Sequence, residues 1–210
     1  VFESKLTQEF RLHFDEKIAE MFQSIGIREG SVWIEVFHDG ENYYFNEVGF
    51  RYGGSVSIYP VDYFYQINQV AADIHYALTG ESCISEHTSL IRSTLPRKKY
   101  YCIYPVHINA GTISSISGLD KIAQLENIVY LATTKYLHDR IESSGSFSQV
   151  FALVHFVCNT TEECIQTIDR IHQMLVVFDE HGNNMVNRML DVGKITVSYT
   201  HLTLPTNSLV

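Results

Sequence analysis

Two glutamates and an arginine lie close together in a stretch whose composition is otherwise typical of a β-sheet. Glu35 and Glu47 are twelve positions apart in "IEVFHDGENYYFNEVGFRYGG", and Arg51 follows four residues later. A carboxylate on an apolar sheet surface has to be paired, protonated or bound to a cation. Two neighbouring carboxylates repel each other, and Mg²⁺, which favours oxygen ligands, relieves that repulsion. These residue types therefore suggest a magnesium site.

The residues after Glu47 suit a phosphorylated or carboxylate ligand. Arg51 can hold a phosphate oxygen or a substrate carboxylate through bidentate hydrogen bonds. Gly53 and Gly54 lack side chains, so a ligand can approach the backbone closely there.

The spacing sets a geometric condition on this hypothesis. A tight two-residue turn at Asp39-Gly40 would pair Glu35 with Tyr44 and leave Glu47 roughly 10 Å along the strand on the other face. A four-residue loop over residues 39–42 instead brings Glu35 and Glu47 to within one residue of facing each other. The metal site therefore requires the wider loop or a bulge, and the alternative is a solvent-facing strand edge.

Hydrophobic periodicity predicts the remaining elements. Apolar residues at helical spacing predict a helix over residues 6–24 and a second over 61–79, with Gly80 as its C-terminal cap. The runs at 31–37 and 43–48 are expected to be strands. Further strands are expected at 100–108, in "GTISSISG" and "NIVYLATT", and at 148–158; "LVVFDEHGN" is a strand entering a turn.

Two shorter signals complete this assignment. "LDKIAQLE" is expected to form a short helix, and Thr160 and Glu163 form a capping box at the start of a helix that ends near Met174. Since hairpins occur beside alternating helices and strands, the predicted fold class is α+β.

Composition excludes several classes of protein. The 210 residues are 45% hydrophobic with a net charge of −9, and the 15 Lys and Arg residues are scattered. This acidic balance argues against nucleic-acid binding. No apolar run approaches the roughly 18 residues that a membrane helix needs, so no membrane partner is expected. The oligomeric state is left open, a homo-oligomer included.

The cysteines and histidines give no metal-binding motif. Cys83, Cys102, Cys158 and Cys164 include no CxxC pair, so buried apolar cysteines are favoured over zinc ligands or a disulfide framework. Reduced cysteines fit a cytoplasmic protein. His155 lies in an apolar strand and is predicted to be a hydrogen-bonded core histidine.

The pattern Glu35-x11-Glu47-x-Gly49-x-Arg51-x-Gly53-Gly54 resembles the end of an ATP-grasp domain, as in biotin carboxylase and the carbamoyl phosphate synthetase large subunit. "SIGIREGSV", "VAADIHYALTGE" and "TTEECIQTIDRIHQMLVVFDEHGN" also look like the C-terminal part of such ligases. The resemblance covers residues 1–196 and is most specific over 30–80.

The resemblance implies roles for individual residues. Glu35 and Glu47 are then the ligands of Mg²⁺, with Mn²⁺ as an alternative, and Arg51 is the catalytic contact for phosphate or the acyl substrate. Gly53 and Gly54 belong to the ATP-binding part of the site. The family's Asn, often a metal ligand, is Gly49 here, which weakens the expectation of metal binding without removing it.

The resemblance also implies an organisation in parts. Residues 1–95 are expected to be the C-terminal portion of the ATP-grasp domain and 96–196 an accessory α+β subdomain. Residues 197–210, "VSYTHLTLPTNSLV", resemble a translated sequencing adapter and are expected to be non-native. With no initiator Met, the chain is expected to be a fragment of a larger enzyme and inactive alone.

The expected activity of the parent enzyme is that of an ATP- and Mg²⁺-dependent carboxylate–amine ligase. Such an enzyme forms an acyl phosphate from ATP and a small carboxylate, which an amine or similar nucleophile then attacks. Two alternatives stay open: a bicarbonate-activating enzyme of the carboxylase or carbamoyl-phosphate type, and a non-catalytic binding module that retains the fold. The acyl donor and the acceptor are not defined by this sequence.

Overall fold

A computed structural model describes residues 5–84 and 99–188. The chain divides into two compact units, and these two stretches belong to the first and the second unit, respectively. The predicted tail at 197–210 and most of the predicted crossing segment at 81–98 lie outside the described residues. Within the described stretches, no helix combines the length and hydropathy needed to cross a membrane.

The described residues of the first unit form three helices and one β-hairpin. Its elements are α1 (Lys5–Ser24), β1 (Trp33–His38), β2 (Tyr43–Gly49), α2 (Ile58–Tyr65) and α3 (Gln69–Thr79).

Helix α1 and the hairpin occur where the sequence predicts them, and aromatic rings join them. The ring centroids of Phe10 and Phe14 lie 5.4–5.6 Å from those of Tyr43 and Phe45 on β2. Such edge-to-face and tilted contacts add stability beyond the burial of area. The helix therefore covers one face of the hairpin and leaves the other face to the candidate site.

The single helix predicted over residues 61–79 is wrong, since the structure has two helices there. Gln66 adopts a left-handed conformation (φ 57°) and ends α2. Asn68 then begins α3 as an N-cap, its side-chain oxygen accepting a hydrogen bond from the Ala71 amide at 3.0 Å. Asparagine is among the best N-cap residues, so the local capping signal outweighs the continuous apolar periodicity. Gly80 caps α3 as predicted (φ 73°).

Over residues 99–188, the second unit forms two three-stranded antiparallel sheets and two α-helices. Its elements are β3 (Tyr100–His107), β4 (Gly111–Ser117), α4 (Leu119–Ala123), β5 (Ile128–Thr133), β6 (Arg140–Ile141), β7 (Val150–Cys158), α5 (Thr161–Met174) and β8 (Val176–Asp179). The strand orders are β3-β7-β5 and β6-β4-β8.

The core of the described residues lies mainly in this second unit. Strand β7 is buried at every position except Val157, which explains its continuous apolar sequence. His155 is fully buried, and its Nδ1 lies 3.0 Å from the Tyr101 hydroxyl, so the prediction of a hydrogen-bonded core histidine is confirmed. Thr160 caps α5 as predicted, accepting a hydrogen bond from the Glu163 amide at 3.2 Å. The α+β class is confirmed.

Candidate metal and phosphate site

The hairpin loop has four residues, 39–42, because Asp39 closes it. The Oδ1 atom of Asp39 accepts hydrogen bonds from the amides of Glu41 (2.9 Å) and Asn42 (2.8 Å), and Oδ2 accepts one from the Tyr44 hydroxyl (2.9 Å). These bonds, chiefly those from the Asn42 and Glu41 amides, hold the pKa of Asp39 well below its usual range. The aspartate that could have started a tight turn instead stabilises the wider loop.

A β-bulge then brings the two glutamates opposite each other. Beside the loop, His38 pairs with Tyr43; continued regularly, that register would pair Glu35 with Asn46. The register shifts by one residue between Val36 and Glu35, so Asn46 is left over and Glu35 pairs with Glu47. Both features that the spacing allowed, the wider loop and a bulge, are present.

The bulge also decides which face of the hairpin carries Glu47. Val36 pairs with Phe45, which lies on the face that α1 covers. Glu35 is adjacent to Val36 and therefore points to the opposite face. Because Glu47 pairs with Glu35, both carboxylates lie on the face away from α1. Side chains of such directly opposite residues are close enough to interact.

The carboxylates do not lie in an apolar interior, which corrects the premise that burial makes them costly. The Glu47 side chain is 55% exposed, and Glu35 is half-buried. The Asn46 amide donates a hydrogen bond of 2.7 Å to the Oε1 atom of Glu35. The leftover residue of the bulge thus fixes the orientation of one carboxylate. Asn46 was not predicted, since a bulge leaves no period-two signal.

Arg51 lies next to this carboxylate pair. Its Nη2 atom is 3.8 Å from the Oε1 atom of Glu47, and Nη1 donates to the Tyr52 carbonyl at 3.1 Å. The guanidinium carbon lies 5.1 Å from the centre of the Trp33 ring, a cation–π distance. The arginine is 54% exposed, so an anionic ligand can reach it.

The two glycines after Arg51 differ in their surroundings. A Cβ atom at Gly53 would lie 2.6 Å from Ser57 Oγ and 3.2 Å from Trp33 Cδ1, while the Gly53 amide donates to Ser57 Oγ at 3.1 Å. The space beside Gly53 is therefore filled by the chain itself. Apart from its chain neighbours, no atom of the described residues lies within 4 Å of a Cβ placed on Gly54, so the backbone there is open to a ligand.

Asp73 on α3 ties the loop that carries Arg51 to the rest of the first unit. Its Oδ2 atom accepts hydrogen bonds from the Tyr52 hydroxyl (2.6 Å) and the Ser31 hydroxyl (3.1 Å). Burial and the Asp73 carboxylate raise the pKa of Tyr52 to about 12. This positioning network was not predicted, because its members are far apart in the sequence.

The residues present fit a magnesium ion that also binds a phosphate. Mg²⁺ commonly takes one or two carboxylates, with phosphate oxygens and water as its other ligands. Glu35 and Glu47 supply the carboxylates, and Arg51 supplies a positive charge for a phosphate. In the part of the chain that the structure describes, no third His, Cys, Asp or Glu ligand atom joins this pair within 4.8 Å.

Comparison with known proteins identifies the fold. No family model and no curated protein matches the chain. Among solved structures, it resembles an L-amino acid ligase from Bacillus licheniformis (22% identity, TM-score 0.63) and a phosphoribosylglycinamide synthetase from Anaerococcus prevotii (13%, TM-score 0.66). It also resembles a single-chain, multi-domain long-chain acyl-CoA carboxylase (15%, TM-score 0.55).

These neighbours define a partial ATP-grasp fold of the α+β class, with antiparallel sheets and flanking helices. The matches cover 82%, 85% and 81% of this chain but 41%, 44% and 18% of the respective neighbours. The chain thus spans less than half the length of each of them. At these sequence identities the likeness shows a shared fold.

Proposed function

We propose that this chain is the C-terminal part of an ATP- and Mg²⁺-dependent ligase that activates a small carboxylate as an acyl phosphate and passes it to an amine or similar nucleophile. The observation that carries the proposal is the cross-strand pair of Glu35 and Glu47 beside Arg51. A capped four-residue loop and a bulge at Asn46 together bring the two glutamates opposite each other.

The residues of the site divide the work of phosphoryl transfer between them. Glu35 and Glu47 would hold Mg²⁺, or Mn²⁺ in its place, which neutralises phosphate charge when bound. Arg51 binds a phosphate oxygen or the carboxylate substrate and stabilises the negative charge that develops there. The backbone at Gly54 is open and would lie beside the phosphates, whereas Ser57 and Trp33 fill the space beside Gly53. Aligning the two reactants accounts for the rest of the rate enhancement.

The alternative activation of bicarbonate, as in a carboxylase or a carbamoyl-phosphate-type enzyme, uses the same residues. It is supported by the likeness to an acyl-CoA carboxylase, although the two ligases match with higher TM-scores. A non-catalytic module is favoured only by Gly49, where the resembled family has an asparagine. The four free thiols support the cytoplasmic location that forms part of the proposal.

The proposal is tested by ATP turnover in a longer protein that contains this chain. Glu47→Gln removes a metal-binding charge while it keeps the shape of the side chain. We expect Mg²⁺-dependent release of ADP to fall about 100-fold or more, equivalent to about 2.7 kcal/mol of transition-state stabilisation. Glu41→Gln is the matched control, since Glu41 is an exposed acid of the same hairpin, and its turnover should stay unchanged.

A second measurement on the 210-residue chain separates metal binding from turnover. Paramagnetic Mn²⁺ should broaden the amide NMR signals of residues around Glu35 and Glu47 first, and Glu47→Gln should require more Mn²⁺ for the same broadening. Equal turnover in wild type and Glu47→Gln, together with unselective broadening, would remove the carboxylate pair from the mechanism. Measuring whether a carboxylate or bicarbonate stimulates the release of ADP distinguishes the two enzyme alternatives.

A further inference from the structure

Three of the four cysteines converge at one point in the second unit, far apart though they are in the sequence. On the antiparallel ladder of β3 and β7, Tyr100 pairs with Cys158 and Cys102 pairs with Phe156. Cys102 and Cys158 are therefore diagonal neighbours on one face of the sheet. Cys164, in the first turn of α5, approaches the same face, and its Sγ atom lies 3.6 Å from that of Cys102.

The sulfur atoms are spaced as metal ligands are. The Sγ atoms of Cys102 and Cys158 are 3.7 Å apart, and all three Sγ atoms lie within 4.8 Å of one another. A tetrahedral ion with metal–sulfur bonds of about 2.3 Å holds its sulfur ligands about 3.8 Å apart. A disulfide instead requires the two sulfur atoms to be about 2.05 Å apart. Both short distances involve the Cys102 sulfur. Small side-chain rotations would therefore let all three sulfur atoms bind one central ion.

The cluster is buried and lies beside the N-terminus of a helix, so a bound ion would be shielded from solvent and placed in a favourable electrostatic field. The three side chains are 3–5% exposed, whereas Asn159 and Thr160, which follow Cys158 in the chain, are exposed. An ion can therefore enter from the turn between β7 and α5. The N-terminus of a helix carries a partial positive charge, which stabilises the negative charge that remains on a metal–thiolate group.

In the metal-free protein the thiol of Cys102 lies within hydrogen-bond distance of both other sulfur atoms. Hydrogen bonds from the Cys102 and Cys158 thiols lower the pKa of Cys164 to about 4. The hydrogen bonds of Cys102 to Cys158 and Cys164, together with burial, raise the pKa of Cys102. A metal ion bound by these sulfur atoms would displace the protons of the thiols.

We propose that Cys102, Cys158 and Cys164 form a binding site for one thiophilic d¹⁰ metal ion, Zn²⁺ or Cu⁺. Thiolate ligands select these ions over Mg²⁺ or Ca²⁺. Three thiolates leave a charge of −1 with Zn²⁺, which retains a fourth position for water, or −2 with Cu⁺ in a three-coordinate site. The site is separate from the carboxylate pair of the first unit and does not depend on the proposed ligase activity.

The test uses the reduced, metal-free 210-residue chain and Cd²⁺ as a spectroscopic probe of thiolates. We expect one Cd²⁺ per chain, with a thiolate-to-metal charge-transfer band in the ultraviolet. Cys102→Ser should weaken this binding by at least about tenfold, since it removes the sulfur common to both short distances. Cys83→Ser is the matched control, because Cys83 is the exposed cysteine, and it should leave the band unchanged. Competition by Zn²⁺ and by Cu⁺ then identifies the preferred ion.

X-ray absorption of the wild-type chain loaded with Zn²⁺ covers the case in which a cysteine variant does not fold. The expected spectrum has three sulfur ligands at about 2.3 Å. A shell of nitrogen and oxygen alone would overturn the proposal. So would the absence of a charge-transfer band, or an equal loss of binding in Cys83→Ser and Cys102→Ser.

Discussion

The two units of the chain differ in where their hydrophobic side chains lie. In the first unit, Phe37, Tyr44 and Phe50 are each more than half exposed, and only a few side chains such as Tyr65 are buried. In the second unit, a continuous core joins both sheets to α5, with Phe151 among its fully buried members. The unit that carries the carboxylate pair thus has the smaller core of its own.

The two units therefore differ in what determines their structure. In the first unit, local devices set the geometry of the candidate site: the capped loop at Asp39, the bulge at Asn46, and the hydrogen bonds of Asp73. In the second unit, apolar burial sets the structure, and burial of this kind supplies most folding free energy. Substitutions in the first unit should therefore alter chemistry more than stability, and the reverse should hold in the second.

A pair of phenylalanine truncations tests this contrast most strongly. Phe151→Ala leaves a cavity in the core and should lower the free energy of unfolding of the second unit by about 3–5 kcal/mol. Phe37→Ala, at a side chain that is 52% exposed, should change stability by about 0.5 kcal/mol or less. Hydrogen exchange in peptides from β7 and β1 measures the two effects separately. Similar losses in both variants would contradict the contrast between the units.

A smaller effect is expected from Asn46→Ala in the first unit. The variant removes the 2.7 Å hydrogen bond that orients Glu35 but keeps both carboxylates. Loss of a partner that orients a metal ligand typically weakens metal binding by 10–100-fold. We expect about a tenfold higher Mg²⁺ requirement for ATP turnover in a longer protein containing the chain, equivalent to about 1.4 kcal/mol.

The stability of the first unit serves as the control for Asn46→Ala. Because Asn46 is exposed, the unfolding transition followed by fluorescence of Trp33, the single tryptophan of this chain, should stay in place. If the Mg²⁺ requirement is unchanged while the fold is kept, the bulge residue has no part in orienting Glu35.

Most elements of the fold could be predicted from the sequence because their signals are local. Helix α1, the strands of the hairpin, β7 and the capping box at Thr160 each depend on periodicity or on a cap within a few residues. The break between α2 and α3 was missed because the apolar periodicity continues across the Asn68 cap, and the left-handed conformation of Gln66 has no composition signal.

The candidate site could be predicted only in part, for a related reason. Residue types and spacing indicated Glu35, Glu47 and Arg51, but a one-residue bulge decides whether the two carboxylates share a face. Spacing along the chain also carries no information on the cysteine cluster, whose members come from two strands and a helix. Contacts between distant residues depend on tertiary packing, and no motif records them.

The smallest expected effect concerns the pH dependence of the second unit. Burial, and then the charge of Arg188, lower the pKa of His172 from its ordinary value of 6.5, against the opposing charge of Asp169; its Nε2 atom lies 2.6 Å from the Tyr104 hydroxyl. Between the lowered pKa and 6.5, the unfolded chain binds a proton that the folded chain does not. Stability from the neutral imidazole is therefore complete above pH 6.5 and is lost as the pH falls through the lowered pKa.

His172→Gln isolates this contribution, because glutamine stays neutral while the other titrating groups of the chain are unchanged. Between pH 7.5 and 5.5, the free energy of unfolding measured in urea should fall more for the wild type than for the variant. Hydrogen exchange in peptides from α5 should show this loss of stability first. Peptides from the hairpin of the first unit provide an internal reference. Parallel pH profiles for the two proteins would show that His172 is protonated as easily in the folded chain as in the unfolded one.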